Sequence, residues 1–285
     1  MNARAVLALT FALMLPVPSS WAQLSAPNET GVAMGHLHYV VRDVEANRRF
    51  WVALGGTARD TGPAHVVVFP GVLVFLTQGE SSGGSNGSVV NHVAFKVQSL
   101  AKLEAAGLKV TYLTQFPGVA SVTSPEGERI ELFDETSPNL VFTLDPGVSS
   151  RAAERHQQKM TVPIVVHHIH FYVPKGAEAQ AKAWYTRVFG GATGKRWHYE
   201  ATDLPGINLN FSDSEQPVAP TKGRMLDHIG FEVANLDAFC RTLQMSGVTL
   251  DAPYTRQPDG VATARITDPW GTSIELTEGL RLAIP

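Results

Sequence analysis

The sequence predicts an α+β fold made of two tandem halves, and three observations carry that prediction. A short strand phrase led by histidine occurs four times along the 285 residues: Gly35-His36-Leu37-His38-Tyr39-Val40, Asn91-His92-Val93-Ala94-Phe95, His168-Ile169-His170-Phe171-Tyr172-Val173 and Asp227-His228-Ile229-Gly230-Phe231. Each phrase precedes a segment of helical character that stops at glycine. A closing phrase with a glutamate ends each half, Ser124-Pro125-Glu126-Gly127-Glu128-Arg129-Ile130-Glu131-Leu132 in one and Asp268-Pro269-Trp270-Gly271-Thr272-Ser273-Ile274-Glu275-Leu276 in the other. Self-similarity of this kind marks a repeated supersecondary unit.

The elements follow in order. A strand over 36–41 leads into a helix over 43–54, with Val44, Phe50, Trp51 and Leu54 as its apolar residues and Gly55-Gly56 as its stop. Strands are expected near 56–60, 65–69 and 72–77. The cycle restarts at Val90, with a helix over 99–106, a stop at Gly107 and strands running to Leu132. The second half copies this with a strand over 166–173, a helix over 177–189 ending at Gly190-Gly191, and strands near 196–200 and 207–211. A last cycle opens at Asp227, with a helix over 236–246 and Gly247 behind it. Glycine suits the left-handed residue that ends a helix. The strand runs are short and rich in Val, Ile, Phe and Tyr. The unit is βαβββ, present four times. Two domains are expected, 33–136 and 164–279, each a pair of consecutive units. Residues 137–163 read as a linker with one exposed helix over 149–158, and 79–88 as a Gly/Ser-rich loop.

Residues 1–22 stand outside this plan. Arg4 precedes an apolar run over 5–15, and Ser20-Trp21-Ala22 supplies small residues at a cleavage position. That is the pattern of a secretory signal peptide, which implies a secreted or periplasmic protein. The run is too short to span a bilayer, and no later segment is long and apolar enough to do so, so no membrane association is expected after cleavage. A single cysteine, Cys240, allows no intrachain disulfide and reads as a buried helix residue. A net charge of −3 gives no electrostatic reason to expect nucleic acid.

The four histidines share one register. His36, His92, His168 and His228 each lie five residues before a valine that closes the strand: Val41, Val97, Val173 and Val233. Side chains alternate along a strand, so equal register means an equivalent face. Two histidines and a glutamate per half are the donors of a mononuclear metal site with open positions. His38 and His170, two residues further on, share that face as bases or hydrogen-bonding partners of bound substrate. His167 should point the other way, to the surface.

These phrases, in four βαβββ units, resemble the vicinal oxygen chelate superfamily of glyoxalases, bleomycin- and fosfomycin-resistance proteins and type I extradiol dioxygenases. The resemblance covers nearly the whole chain after residue 22. It implies two half-barrel sheets with helices outside and a divalent ion (Fe, Mn or Zn) inside. It assigns His168, His228 and Glu275 as ligands in the second half, and His36, His92 and Glu131 in the first. The fourth carboxylate of glyoxalases is replaced by Phe75 and Asn210. His170, Tyr199 and Arg265 are the catalytic candidates, Arg265 standing where extradiol enzymes carry a tyrosine. The expected activity is metal-dependent chemistry on a small oxygen-rich substrate. An extradiol-type dioxygenase leads by domain arrangement. A glyoxalase-like lyase or isomerase, and a non-catalytic small-molecule-binding protein, stay open. A homo-oligomer is compatible with this plan.

Overall fold

A computed structural model describes residues 24–61, 64–138 and 141–284, so the expected signal peptide over 1–22 lies outside the described residues. The four units are present. Unit 1 is β1 (Val32–Val41), α1 (Val44–Ala53), β2 (Thr57–Thr61), β3 (Ala64–Phe69) and β4 (Val72–Gln78). Unit 2 is β5 (Val90–Val97), α2 (Leu100–Ala105), β6 (Thr111–Tyr112), β7 (Val119–Thr123) and β8 (Arg129–Asp134). A short strand, β9 (Phe142–Leu144), lies between the halves. Unit 3 is β10 (Ile164–Pro174), α3 (Glu178–Phe189), β11 (Ala192–Arg196), β12 (Tyr199–Leu204) and β13 (Ile207–Ser214). Unit 4 is β14 (Leu226–Val233), α4 (Leu236–Met245), β15 (Ala252–Arg256), β16 (Ala262–Thr267) and β17 (Ser273–Glu278).

The helices begin and end for local reasons. Asp43 and Asn235 accept hydrogen bonds from the backbone N–H three residues on, in the side-chain N-capping geometry. Gly190 ends α3 at φ 70°, in the left-handed region.

The two units of each half do not share a sheet. One sheet runs β15-β16-β17-β14-β1-β4-β3-β2 and joins units 1 and 4; the other runs β6-β7-β8-β5-β10-β13-β12-β11-β9 and joins units 2 and 3. This corrects the expectation that each half closes its own half-barrel. The reason lies in the seams. Strand β1 meets β14 antiparallel with His38 opposite His228, and β10 meets β5 with His170 opposite His92. Both seams offer the same cross-strand surface, so local pattern does not specify which partner a unit takes.

The two units of each half are joined through their turns and core instead. Glu126 accepts hydrogen bonds from the N–H groups of Arg42 and Asp43 and from Asn47 at the start of α1. In the second half Asp268 accepts from the Tyr185 hydroxyl on α3, and Trp270 packs edge-on against Trp184. A core of side chains from all four units fills the space between the sheets, with Trp51 and Phe69 against Phe95, and Phe189 against Phe231.

Segment 137–163 is more than a tether. Strand β9 extends the second sheet beside β11. A 3-10 turn, Ala152–Gln157, buries Ala153 and leaves the His156 side chain only 3% exposed, instead of lying on the surface. Arg155 and His156 both bind the buried Asp203 carboxylate on β12. Among the described residues no helix is long and apolar enough to cross a membrane, and Cys240 is buried and unbridged.

Candidate metal centre and its counterpart

Each sheet brings two histidine strands and one closing glutamate to its concave face, and the crossover decides which. The sets are His36, His228 and Glu275 in one sheet, and His92, His168 and Glu131 in the other. The expected triads are therefore exchanged: His168 does not join His228 and Glu275, and His36 does not join His92 and Glu131. All six residues face a site; the units that share them differ.

In the first sheet, His36 Nε2 lies 3.2 Å and His228 Nε2 3.6 Å from Glu275 Oε2. His228 Nδ1 is 2.7 Å from Asp227 Oδ1. A carboxylate only accepts, so Nδ1 carries a proton; Nε2 then either donates a second proton toward Glu275, as an imidazolium, or offers its lone pair to an ion. With the ring neutral, two acceptors face each other in a buried site, an arrangement that a bound cation relieves. Consistently, both His36 ring nitrogens and His228 Nε2 are buried without a hydrogen-bond partner. Donor separations of 3–4 Å suit ligands about 2.1 Å from a shared ion.

The surroundings orient these donors. Arg265 donates from Nε (3.1 Å) and Nη2 (2.9 Å) to Glu275 Oε1, leaving Oε2 to the histidines. A Cβ on Gly230 would stand 2.0–2.4 Å from atoms of the His36 ring, so only glycine lets that ring lie across β14. His38 stacks on His228 at 4.4 Å and bonds Thr77 through Nε2 at 2.8 Å. Phe75, at the expected fourth-ligand position, packs edge-on against His36.

Charges follow. Burial alone would raise Glu275, but His228 and His36 hold it far below the usual carboxylate range. Burial pulls at His228 too, yet its bonds to Asp227 and Glu275 raise it above its ordinary value. Burial lowers His36. Burial, then His228 and His36, push His38 down to about 3, so it is neutral and a weak base.

The second sheet has the same skeleton and different wiring. His92 Nε2 is 3.2 Å from Glu131 Oε2, in hydrogen-bond geometry. Arg129 Nη2 donates to His92 Nδ1 at 2.7 Å. Asn91 Oδ1 approaches the same nitrogen at 2.8 Å and also accepts from Arg129 Nη2; where Nδ1 accepts from Arg129, the proton sits on Nε2, toward Glu131. Asn91 stands where the metal-side set has Asp227. His168 Nε2 accepts from Arg196 Nη2 at 3.4 Å, and its Nδ1 pairs with His167 Nδ1 at 2.9 Å. Arg196 also donates from Nε to Asn210 Oδ1 at 3.1 Å. His170 Nε2 bonds Ser212. Nitrogens of His92, His168 and His170 lie close enough to surround an ion, but none of these three rings is left with a partnerless buried nitrogen.

His167 is buried, not on the surface. The ladder shifts between Val166 and His168, so His167 is the extra residue of a β-bulge, packed against Phe133 and His156. The three catalytic candidates separate. Arg265 belongs to the first set. His170 and Tyr199 line a pocket of about 200 Å3 beside the second, with His92, Arg129, Arg196 and Trp197. Asp227, Arg129, Arg196 and Gly230 carry roles that spacing did not reveal. Asp227 and Arg129 do lie inside the repeated phrases, one residue before His228 and two before Glu131.

Fold and site match the plan of the vicinal oxygen chelate proteins. Residues 165–276 match the Glyoxalase/Bleomycin resistance protein/Dioxygenase superfamily. Among solved structures it is similar to glyoxalase I from Zea mays (TM-score 0.63, 14% identity, 88% of this chain and 93% of that one). It is also similar to a candidate dioxygenase from Bacillus subtilis (TM-score 0.58, 14% identity, 90% and 86%). At these identities the likeness is one of fold. No curated protein matches the sequence.

Proposed function

We propose that the protein is an exported, metal-dependent enzyme whose single metal centre is His36, His228 and Glu275. The observation that carries this is the meeting of His36 Nε2, His228 Nε2 and Glu275 Oε2 at 3.2 and 3.6 Å, buried, with neither ring nitrogen in a hydrogen bond. A divalent ion held there supplies Lewis acidity and open positions for two adjacent oxygens of a small substrate. The protein's own part is orientation: Asp227 fixes the His228 tautomer, Arg265 turns Glu275, and Phe75 closes the fourth position with an apolar wall. Two histidines and one carboxylate with open positions favour Fe(II) and oxygen chemistry. Ring cleavage of the extradiol type is the reading we put first. A lyase or isomerase of the glyoxalase kind is the second, since His38 and Thr77 beside the centre offer a hydrogen-bonding pair for an enediolate-like substrate.

Elemental analysis of the protein purified from Fe-, Mn- and Zn-supplemented medium tests the centre. One equivalent is expected, falling at least about tenfold in His228→Ala and Glu275→Gln. Metal retained in both variants, or no stoichiometric metal in the parent, would remove the enzymatic reading and leave sequestration of a small molecule. Oxygen uptake with catechols separates the first reaction class from the second.

A further inference from the structure

The second sheet has a cation of its own. Arg196 is buried, and its Nη2 takes the lone pair of His168 Nε2 while its Nε takes Asn210 Oδ1, the fourth-ligand position. His92 is held by Arg129 in the tautomer that directs a proton, not a lone pair, at Glu131. An ion placed there would face a guanidinium and an N–H. The residues do not fit a metal. The pocket alongside carries two arginines and one glutamate, an excess of one positive charge that a single carboxylate would balance.

Its walls are aromatic. Phe116, Trp197 and Tyr199 form the mouth, Trp197 edge-on to Phe116 at 5.5 Å. Trp197 is 51% exposed and, at φ 55°, is the one non-glycine residue with positive φ among the described residues. A large aromatic held in a sparsely populated conformation at a pocket rim points to a functional constraint. A volume of about 200 Å3 exceeds the roughly 150 Å3 that suffices for benzene.

We propose that the half-barrel of units 2 and 3 is a metal-free site, with the Arg196 guanidinium in the ion's place, and that its pocket binds a small planar carboxylate. Arg196 and Arg129 hold the carboxylate, and Trp197 and Phe116 cover the ring. This site is distinct from the metal centre and stands whether or not that centre is catalytic.

Benzoate is the probe, titrated into the full mature protein by calorimetry, with benzamide as its uncharged analogue. One saturable site is expected for benzoate, weakened about tenfold or more in Arg129→Ala and in Arg196→Gln, retained in His228→Ala, and at least about tenfold weaker for benzamide. Arg129 is 36% exposed, so its variant keeps the test open if Arg196→Gln does not fold. Trp197 fluorescence, assigned by its loss in Trp197→Phe, should respond to benzoate. Metal content should be no more than one equivalent and unchanged in His92→Ala. Two equivalents with one lost in His92→Ala, benzamide binding as tightly as benzoate, or affinity untouched by Arg129→Ala would overturn the proposal.

Discussion

At the scale of single residues, the two sites differ by a handful of atoms that set where protons sit. Asp227 beside His228 holds a proton on Nδ1, whereas Arg129 beside His92 donates to the equivalent nitrogen. Asp227→Asn should therefore weaken the metal centre about 10–100-fold, the usual effect of losing a carboxylate behind a ligating histidine. Metal-binding titrations on the refilled apoprotein check this; affinity equal to the parent's would show that Asp227 does not set the tautomer. Gly230 makes a second, steric point. A methyl there would lie 2.0–2.4 Å from His36 ring atoms. Gly230→Ala should expel that ring, cost about 1–3 kcal/mol in overpacking and lower metal occupancy, read by denaturation and elemental analysis on one sample. Of this wiring, the convergence of the histidines and glutamates on a common face was legible in the sequence, because a shared register on a period-two strand puts equivalent residues on equivalent faces. The arginines were not, since Arg196 reaches His168 from another strand and nothing in its local pattern announces that contact.

At the scale of elements, glycine stops and histidine strands placed the four helices and the strands before them to within a few residues, because those signals are local; the strand expected over 196–200 instead spans the turn between β11 and β12. Pairing is not local. The β1–β14 and β5–β10 seams are interchangeable in pattern, and the exchange of partners lay beyond what periodicity encodes. The closing turns show how unlike two copies can become. Asp268 accepts from the N–H groups of Trp270 (2.9 Å) and Thr272 (2.7 Å) and from the Tyr185 hydroxyl (2.7 Å), all in the interior. Its counterpart Ser124 makes a lighter turn, and Glu126 instead caps α1 from outside. Asp268→Ala should cost about 3 kcal/mol, because buried donors lose their acceptor. Glu126→Ala should cost about 1 kcal/mol, the usual worth of a helix cap. Urea midpoints at constant slope measure both; equal costs would mean that the two turns tie their helices alike.

At the scale of the whole molecule, each unit touches two others, one through a sheet and one through a turn and core, so the four close on themselves. The segment between the halves is locked into this arrangement at Asp203. That carboxylate is buried, which alone would raise its pKa, but Arg155 and His156 outweigh the burial and hold it below its ordinary value. A carboxylate depressed in the fold stabilises fully above its unfolded pKa of about 3.9, and that stability is lost as pH falls through the lower folded value. His156, lowered chiefly by burial, acts in the same direction at a higher window: its neutral form is favoured in the fold, and stability drains as pH drops below about 6.5. Acidification from pH 7 should thus destabilise the protein in two stages. Asp203→Asn should cost about 3 kcal/mol at pH 7, by stranding a partly buried arginine, and should flatten the stage below pH 4. If Asp203→Asn keeps the parent's steep loss below pH 4 in pH-resolved denaturation, then the carboxylate is not the group that couples the connecting segment to the sheet.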